Sequence, residues 1–209
     1  MFWIVCGAAI AIGFLFCAIA WVMGITTDMV YDRFPNGIGW VSNDSGPTAE
    51  NMHETFTGVA EIDMDLAAGK VYFAEGEGSE IRVDTDNLSQ RLGFKCYMDG
   101  NELKLTSKKR FSGVNNIGRG TITVYIPKEM TFEEVSLSMG AGSLEVNEIY
   151  TRDLSVEIGA GEVVINKFQA DEAKFECGAG SITASGDVRS LADIHCGVGS
   201  IVYTASGRE

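Results

Sequence analysis

The sequence predicts an all-β protein, a β-solenoid of stacked two-strand coils of about 19 residues, preceded by one N-terminal transmembrane helix. Three observations predict it. Gly-x-Gly units begin at Gly140, Gly159, Gly178 and Gly197, each 19 residues after the last. On both sides of each unit apolar and polar residues alternate with period two, the pattern of a half-buried strand. Met1 to Thr27 carries no charged side chain, so all 16 basic and 29 acidic residues lie beyond it.

Taken in chain order, Phe2 to Ile25 is an uncharged apolar run with Trp3 and Trp21 near its ends. As a helix it rises about 36 Å, enough to cross a hydrocarbon core of roughly 30 Å. Indoles favour the two membrane interfaces. Ala18-Ile19-Ala20 fits the small-x-small pattern of a signal-peptide cleavage site, but the apolar run continues through Met23, which favours an uncleaved anchor. Cys6 and Cys17 form no lipobox, since Phe16 precedes Cys17. The acidic body after the segment favours a single-pass arrangement with the C-terminal body outside the cytoplasm. Residues 28–54, with Pro35 and Pro47, read as a linker, and residues 55–209 as the ectodomain.

In that body, Ile62, Met64 and Leu66 alternate before Ala67-Ala68-Gly69, and Val71 and Phe73 follow. This is a divergent copy of the later repeat. Strand-like runs follow at Glu80 to Asp84, Glu102 to Thr106 and Thr121 to Ile126, with Asp99-Gly100 as a hairpin signal. Lys108 to Gly120 reads as a loop.

The regular repeats, about residues 132–205, align by column. One position before the first glycine stand Met139, Ile158, Cys177 and Cys196; two positions after the second stand Leu144, Val163, Ile182 and Ile201. These columns point inward. Ser138, Glu157, Glu176 and His195 form an outward column two before the first glycine. The eight structural bend residues Gly140, Gly142, Gly159, Gly161, Gly178, Gly180, Gly197 and Gly199 suit tight bends, because glycine accepts positive φ and lets backbones approach closely. Coils then stack about 4.8 Å apart, like residue over like.

The succession VSLSMGAGSLEV, LSVEIGAGEVVI, AKFECGAGSITA and ADIHCGVGSIVY resembles the bacterial family of candidate adhesins, a domain of unknown function called toast-rack for its stacked β-coils. The resemblance covers about residues 55–205 and includes TITVYIPKEMTFEEV and IDMDLAAGKVYF. It implies a β-solenoid ectodomain in membrane-anchored form, with no enzymatic chemistry attached. Members often begin with basic residues and carry a further C-terminal coil; this chain shows neither, so the expectation is either that the sequence is truncated at Glu209 or that something else covers the edge of its last coil.

Several chemistries fail on residue grounds. A net charge of −13 opposes nucleic-acid binding, which needs a basic patch. A dinucleotide loop needs a third glycine and a following helix. Calcium-binding nonapeptide repeats need an Asp where Leu144, Val163, Ile182 and Ile201 stand. Glu157 and Glu176, one coil apart at about 5 Å between Cα atoms, match the carboxyl spacing of retaining glycosidases, yet any stacked Glu column does so; a solvated charged face is the plainer reading. His195 continues that column, where contact with Glu176 would raise its pKa, but further metal ligands are lacking. No cofactor, metal or catalytic residue is assigned. Cys177 and Cys196 share an inward column at a separation that suits a disulfide. Free thiols acting as small core hydrophobes are the favoured reading, and Cys96 leaves the body with an odd number.

The function expected from these residues is a non-enzymatic, membrane-anchored surface protein binding a protein or cell-envelope polymer. The alternative is an envelope-stress sensory ectodomain acting through membrane partners. Exposed backbone on the last coil also allows self-association edge to edge.

Overall fold

Strict alternation of apolar and polar residues gives each short run one face to bury and one to leave in water. In a computed structural model, which describes residues 48–107 and 119–206, this alternation produces an all-β architecture. The strands are β1 (His53–Phe56), β2 (Glu61–Gly76), β3 (Ile81–Asp86), β4 (Lys95–Asp99), β5 (Glu102–Thr106), β6 (Thr121–Pro127), β7 (Thr131–Cys196) and β8 (Ser200–Ala205). One 3-10 turn, Gln90–Leu92, joins β3 to β4. The apolar segment Phe2 to Ile25, residues 28–47 of the expected linker and residues 108–118 of the expected loop lie outside the described residues.

Strand β7 runs through three of the four Gly-x-Gly bends without losing its extended hydrogen bonding. Its first coil lies parallel on β2 with Ile62 opposite Val135, Met64 opposite Leu137, Gly69 opposite Gly142 and Phe73 opposite Val146. The divergent copy therefore stacks on the regular array column for column. At the other end β8 continues the array, with Ile182 opposite Ile201 and Ala184 opposite Tyr203, a register of 19 residues. Inward residues form one continuous core that includes Met64, Leu137, Val156, Ile158, Phe175 and Ile182. Fully burying such side chains contributes about 1.5–3 kcal/mol each. Beneath the last coil, Phe168 and Phe175 meet edge to face at 5.7 Å, and Tyr203 lies 5.9 Å from Phe168.

Below β2 one coil is divided. Strand β5 pairs parallel with Glu61–Asp65 and β6 with Lys70–Gly76, so two separate strands take the places of the two arms of a coil. Antiparallel strands finish this end: β4 on β5, β3 on β6 and β1 on β3. The expected strand from Glu80 runs Ile81–Asp86, and Asp99-Gly100 does turn between β4 and β5. Strand β1 starts inside the expected linker. Its approach is already tied down, with the Ala49 N–H donating to Leu88 O at 2.8 Å and Thr48 bridging Ser89.

The bends show what glycine does here. A Cβ built on Gly140, Gly159, Gly178 or Gly197 would sit 2.5, 2.5, 2.7 or 2.8 Å from a carbonyl oxygen of the coil before it. At Gly142 and Gly161 the carbonyls of Gly69 and Gly142 stand closer still, and φ is 131° and 129°. Positive φ thus belongs to the second glycine of the first two units, while close approach holds at all eight. Ala67 occupies the first-glycine position of the divergent copy, and its N–H donates to Ser107 Oγ at 2.8 Å.

Gly159→Ala is expected to cost about 1–3 kcal/mol, the usual range for overpacking against a backbone that cannot yield. Ala67→Gly is expected to cost no more than about 1 kcal/mol. Urea unfolding of both variants checks this, and equal stability of Gly159→Ala and the parent protein would refute the close-approach account.

Candidate functional site

Because coils stack in register, each outward position of the arm before the bend becomes a column across the sheet. Six places before the first glycine stand Glu61, Glu134, Asp153 and Glu172, with Glu102 paired to Glu61 from below. Four places before it stand Asp63, Ser136, Ser155, Lys174 and Asp193, with Lys104 beside Asp63. The column nearest the bend holds Asp65, Ser138, Glu157, Glu176 and His195. The result is an acidic sheet face. The arm after the bend differs, its outward positions carrying Ser143, Glu145, Asn147, Val164, Thr183 and Ser185 among others.

Two lysines temper the acidic face. Lys104 Nζ lies 2.8 Å from Glu102 and 3.2 Å from Asp63, and those contacts hold its ammonium well above the ordinary lysine range. Lys174 pairs with Glu176 at 2.8 Å, and that hydrogen bond, with the nearby charges of Asp193 and Glu157, raises its pKa. Glu176 therefore faces a lysine on its own strand. His195 Nε2 pairs with Asp193 Oδ1 at 3.0 Å, so its ion-pair partner is Asp193 where Glu176 was expected.

An open groove follows the bends along this face. One stretch is lined by Asp65, Ser138, Glu157, Gly140 and Gly159, and the next by Glu157, Glu176, His195, Cys177 and Cys196. The structure thus brings Glu157, Glu176 and His195 together in one groove, with the bend glycines as its floor. Among the described residues no cluster of three His, Cys, Asp or Glu is arranged to hold a metal ion. Of the two cysteines in the inward column, Cys177 is buried but Cys196 is exposed. The core role expected for both applies to Cys177 alone, because the last coil has no described coil above it.

The opposite corner of the coils carries pairs that alignment near the bends does not reach. Lys167 Nζ donates to Glu148 and, at 2.8 Å, to the Tyr150 hydroxyl, which itself donates to Glu148. Arg189 pairs with Asp171 at 3.0 Å. Glu148 and Lys167 are 19 residues apart, so one column holds opposite charges on successive coils. The contacts from Lys167 and then Tyr150 hold the Glu148 carboxyl below the usual range.

Over residues 59–206 the chain matches the family described as Toastrack DUF4097. No curated protein matches it. Among solved structures, it is similar to a candidate cell adhesion protein of Clostridium sporogenes at 12% identity and a TM-score of 0.47, covering 75% of this chain and all of that one (100%). It is also similar to a candidate adhesin of Bacteroides fragilis at 14% identity and a TM-score of 0.34, covering 76% and 99% of the two chains. A third, a candidate adhesin of Parabacteroides distasonis, shows 14% identity and a TM-score of 0.31, covering 75% and 78%.

Lys167→Met removes the cation that lowers the Glu148 pKa. A lowered carboxyl pKa contributes stability above its unfolded value, and that contribution disappears as pH falls through the folded value. The variant is expected to be slightly less stable than the parent protein at pH 7 and equally stable near pH 2. Urea unfolding at the two pH values reads the difference; a loss of equal size at both would show that the ion pair is not responsible.

Proposed function

The chain belongs to the Toastrack DUF4097 family, and from that premise we propose that it is a non-enzymatic, adhesin-like cell-surface scaffold whose acidic sheet face docks an unidentified partner. Phe2 to Ile25 anchors it in a bacterial membrane as a single-pass helix, with the body outside the cytoplasm. The partner is a protein or a cell-envelope polymer that presents cationic groups.

The observation that carries this reading is the repetition of Glu61, Glu134, Asp153 and Glu172, with Glu157 and Glu176 beside them, on an open sheet at fixed coil spacing. Single exposed charge pairs contribute little. A rigid row of them engages several partner groups at once and gains from effective concentration. Complementary fields also set partner choice and association rate. A flat array does not surround a substrate or bring acid, base and nucleophile together around one atom, as catalysis requires. The end coil adds a second surface. Leu191, Ile194, Val198 and Val202 are exposed there, and a second copy is proposed to pair along that edge.

The reading is tested with full-length protein in nanodiscs and isolated bacterial envelopes. Binding is expected to fall steeply between about 50 and 500 mM salt, as screening shortens the reach of charges. A variant combining Glu134→Gln, Asp153→Asn, Glu157→Gln and Glu172→Gln is expected to bind at least tenfold more weakly. Unchanged binding by that variant would overturn the assignment of the acidic face. For the edge contact, light scattering of the same sample is expected to show a dimer, and a strict monomer would refute it.

A further inference from the structure

We infer that Cys177 and Cys196 form a cross-link site, in which an intramolecular disulfide fastens the outermost coil to the one beneath it. The two residues occupy the same inward column on successive coils. Their backbones are held in register, since the Gly197 N–H donates to Cys177 O at 2.8 Å and the Val198 N–H to Gly178 O at 2.7 Å. Side chains stacked this way point in the same direction, and a strand spacing of about 4.8 Å falls inside the Cα window of disulfides, roughly 4.4–6.8 Å. Both thiols are free in this structure.

What distinguishes this pair from two buried core thiols is the open end. Cys177 is 4% exposed, but Cys196 stands at the surface, within reach of a small oxidant. The outer coil is packed from one side only among the described residues, so it can tilt the small amount that bond formation needs. Cys96 offers the contrast. It lies on β4, beyond the divided coil, and burial, with a smaller effect of Glu54, pushes its thiol up to about 12.

The oxidant is a low-molecular-weight disulfide. The Cys196 thiolate attacks one of its sulfurs, breaking that S–S bond and expelling one thiolate to give a mixed disulfide. The Cys177 thiolate then attacks the Cys196 sulfur, the second thiolate leaves, and the Cys177–Cys196 bond forms. Two protein thiols are oxidised by two electrons, the small disulfide is reduced to two thiols, and the released protons end on those thiols. Desolvation and then contact with Cys177 raise the Cys196 pKa, so the thiolate fraction is small at pH 7 and grows with pH. The oxidising surroundings that would maintain the bond in the cell rest on the proposed extracytoplasmic location; the geometry does not.

The experiment treats purified full-length protein with glutathione disulfide, alkylates it under denaturing conditions and digests it with trypsin. Cleavage after Lys174, Arg189 and Arg208 leaves the two cysteines on the separate peptides Phe175–Arg189 and Ser190–Arg208. Those peptides are expected to appear joined within one chain, at a rate that rises about tenfold from pH 7 to pH 8 as the thiolate fraction grows. Cys177→Ser is expected to stop at a glutathione adduct on Cys196, and Cys96→Ser to leave the bridge intact. Recovery of both peptides alkylated, or of Ser190–Arg208 joined only to its own copy from another chain, would overturn the proposal. Protein extracted from its native membrane without reductant reports on location separately. A bridge formed in the tube but absent there would count against the extracytoplasmic body while leaving the cross-link site standing.

Discussion

Backbone lying on backbone at the bends is the constraint on which the rest of this structure depends. The glycines of each unit stack against carbonyl oxygens one coil away, at distances where a single added carbon would collide. Once the bends sit that close, the arms on either side are held at hydrogen-bonding distance and in one register. Inward residues then fall over inward residues and close into a continuous core. In the divergent copy Ala67 is found in the first-glycine position, with its N–H donating to Ser107 Oγ.

The same register that aligns the core also aligns charge. A column of acidic residues in a stacked array cannot spread out far, because each backbone position is held about 4.8 Å from its equivalent on the next coil. On the arm before the bend, Lys104 and Lys174 sit within that field and pair with their nearest acids. At the opposite corner, Glu148 and Lys167 place opposite charges on successive coils, so stacking there is attractive. One geometric rule therefore yields an acidic face on one arm and a corner of paired opposite charges on successive coils.

Much of this was legible from the column alignment. The 19-residue period and the divergent copy at Ile62 to Phe73 appear in the structure as read, and the inward columns are buried up to the last coil, where Ile194 and Cys196 are exposed. Glu157, Glu176 and His195 do share one groove. The pairing of His195 with Asp193 was not legible, because it depends on rotamers along one strand rather than on stacking. The outward columns four and six places before the bend carry the acidic face, and extending the alignment to Glu148 and Lys167 would have exposed the corner pairs. Nothing in the local sequence marks β5 and β6 as the two arms of one coil; that emerges only when they are seen against the two halves of β2.

Local periodicity by itself determined that the chain is built of two-armed coils, which residues face inward, and that glycine is needed at every bend. These follow from alternation and backbone sterics, both of which act over a few residues or one repeat. Tertiary structure alone decided how the ends are finished: β1, β3 and β4 turn antiparallel to close one side, and Cys196 is left exposed on the other. The physical reason is that burial is a property of neighbours. Cys177 and Cys196 occupy equivalent places in the repeat, and among the described residues only Cys177 has a further coil above it, which makes one a core residue and the other a surface thiol.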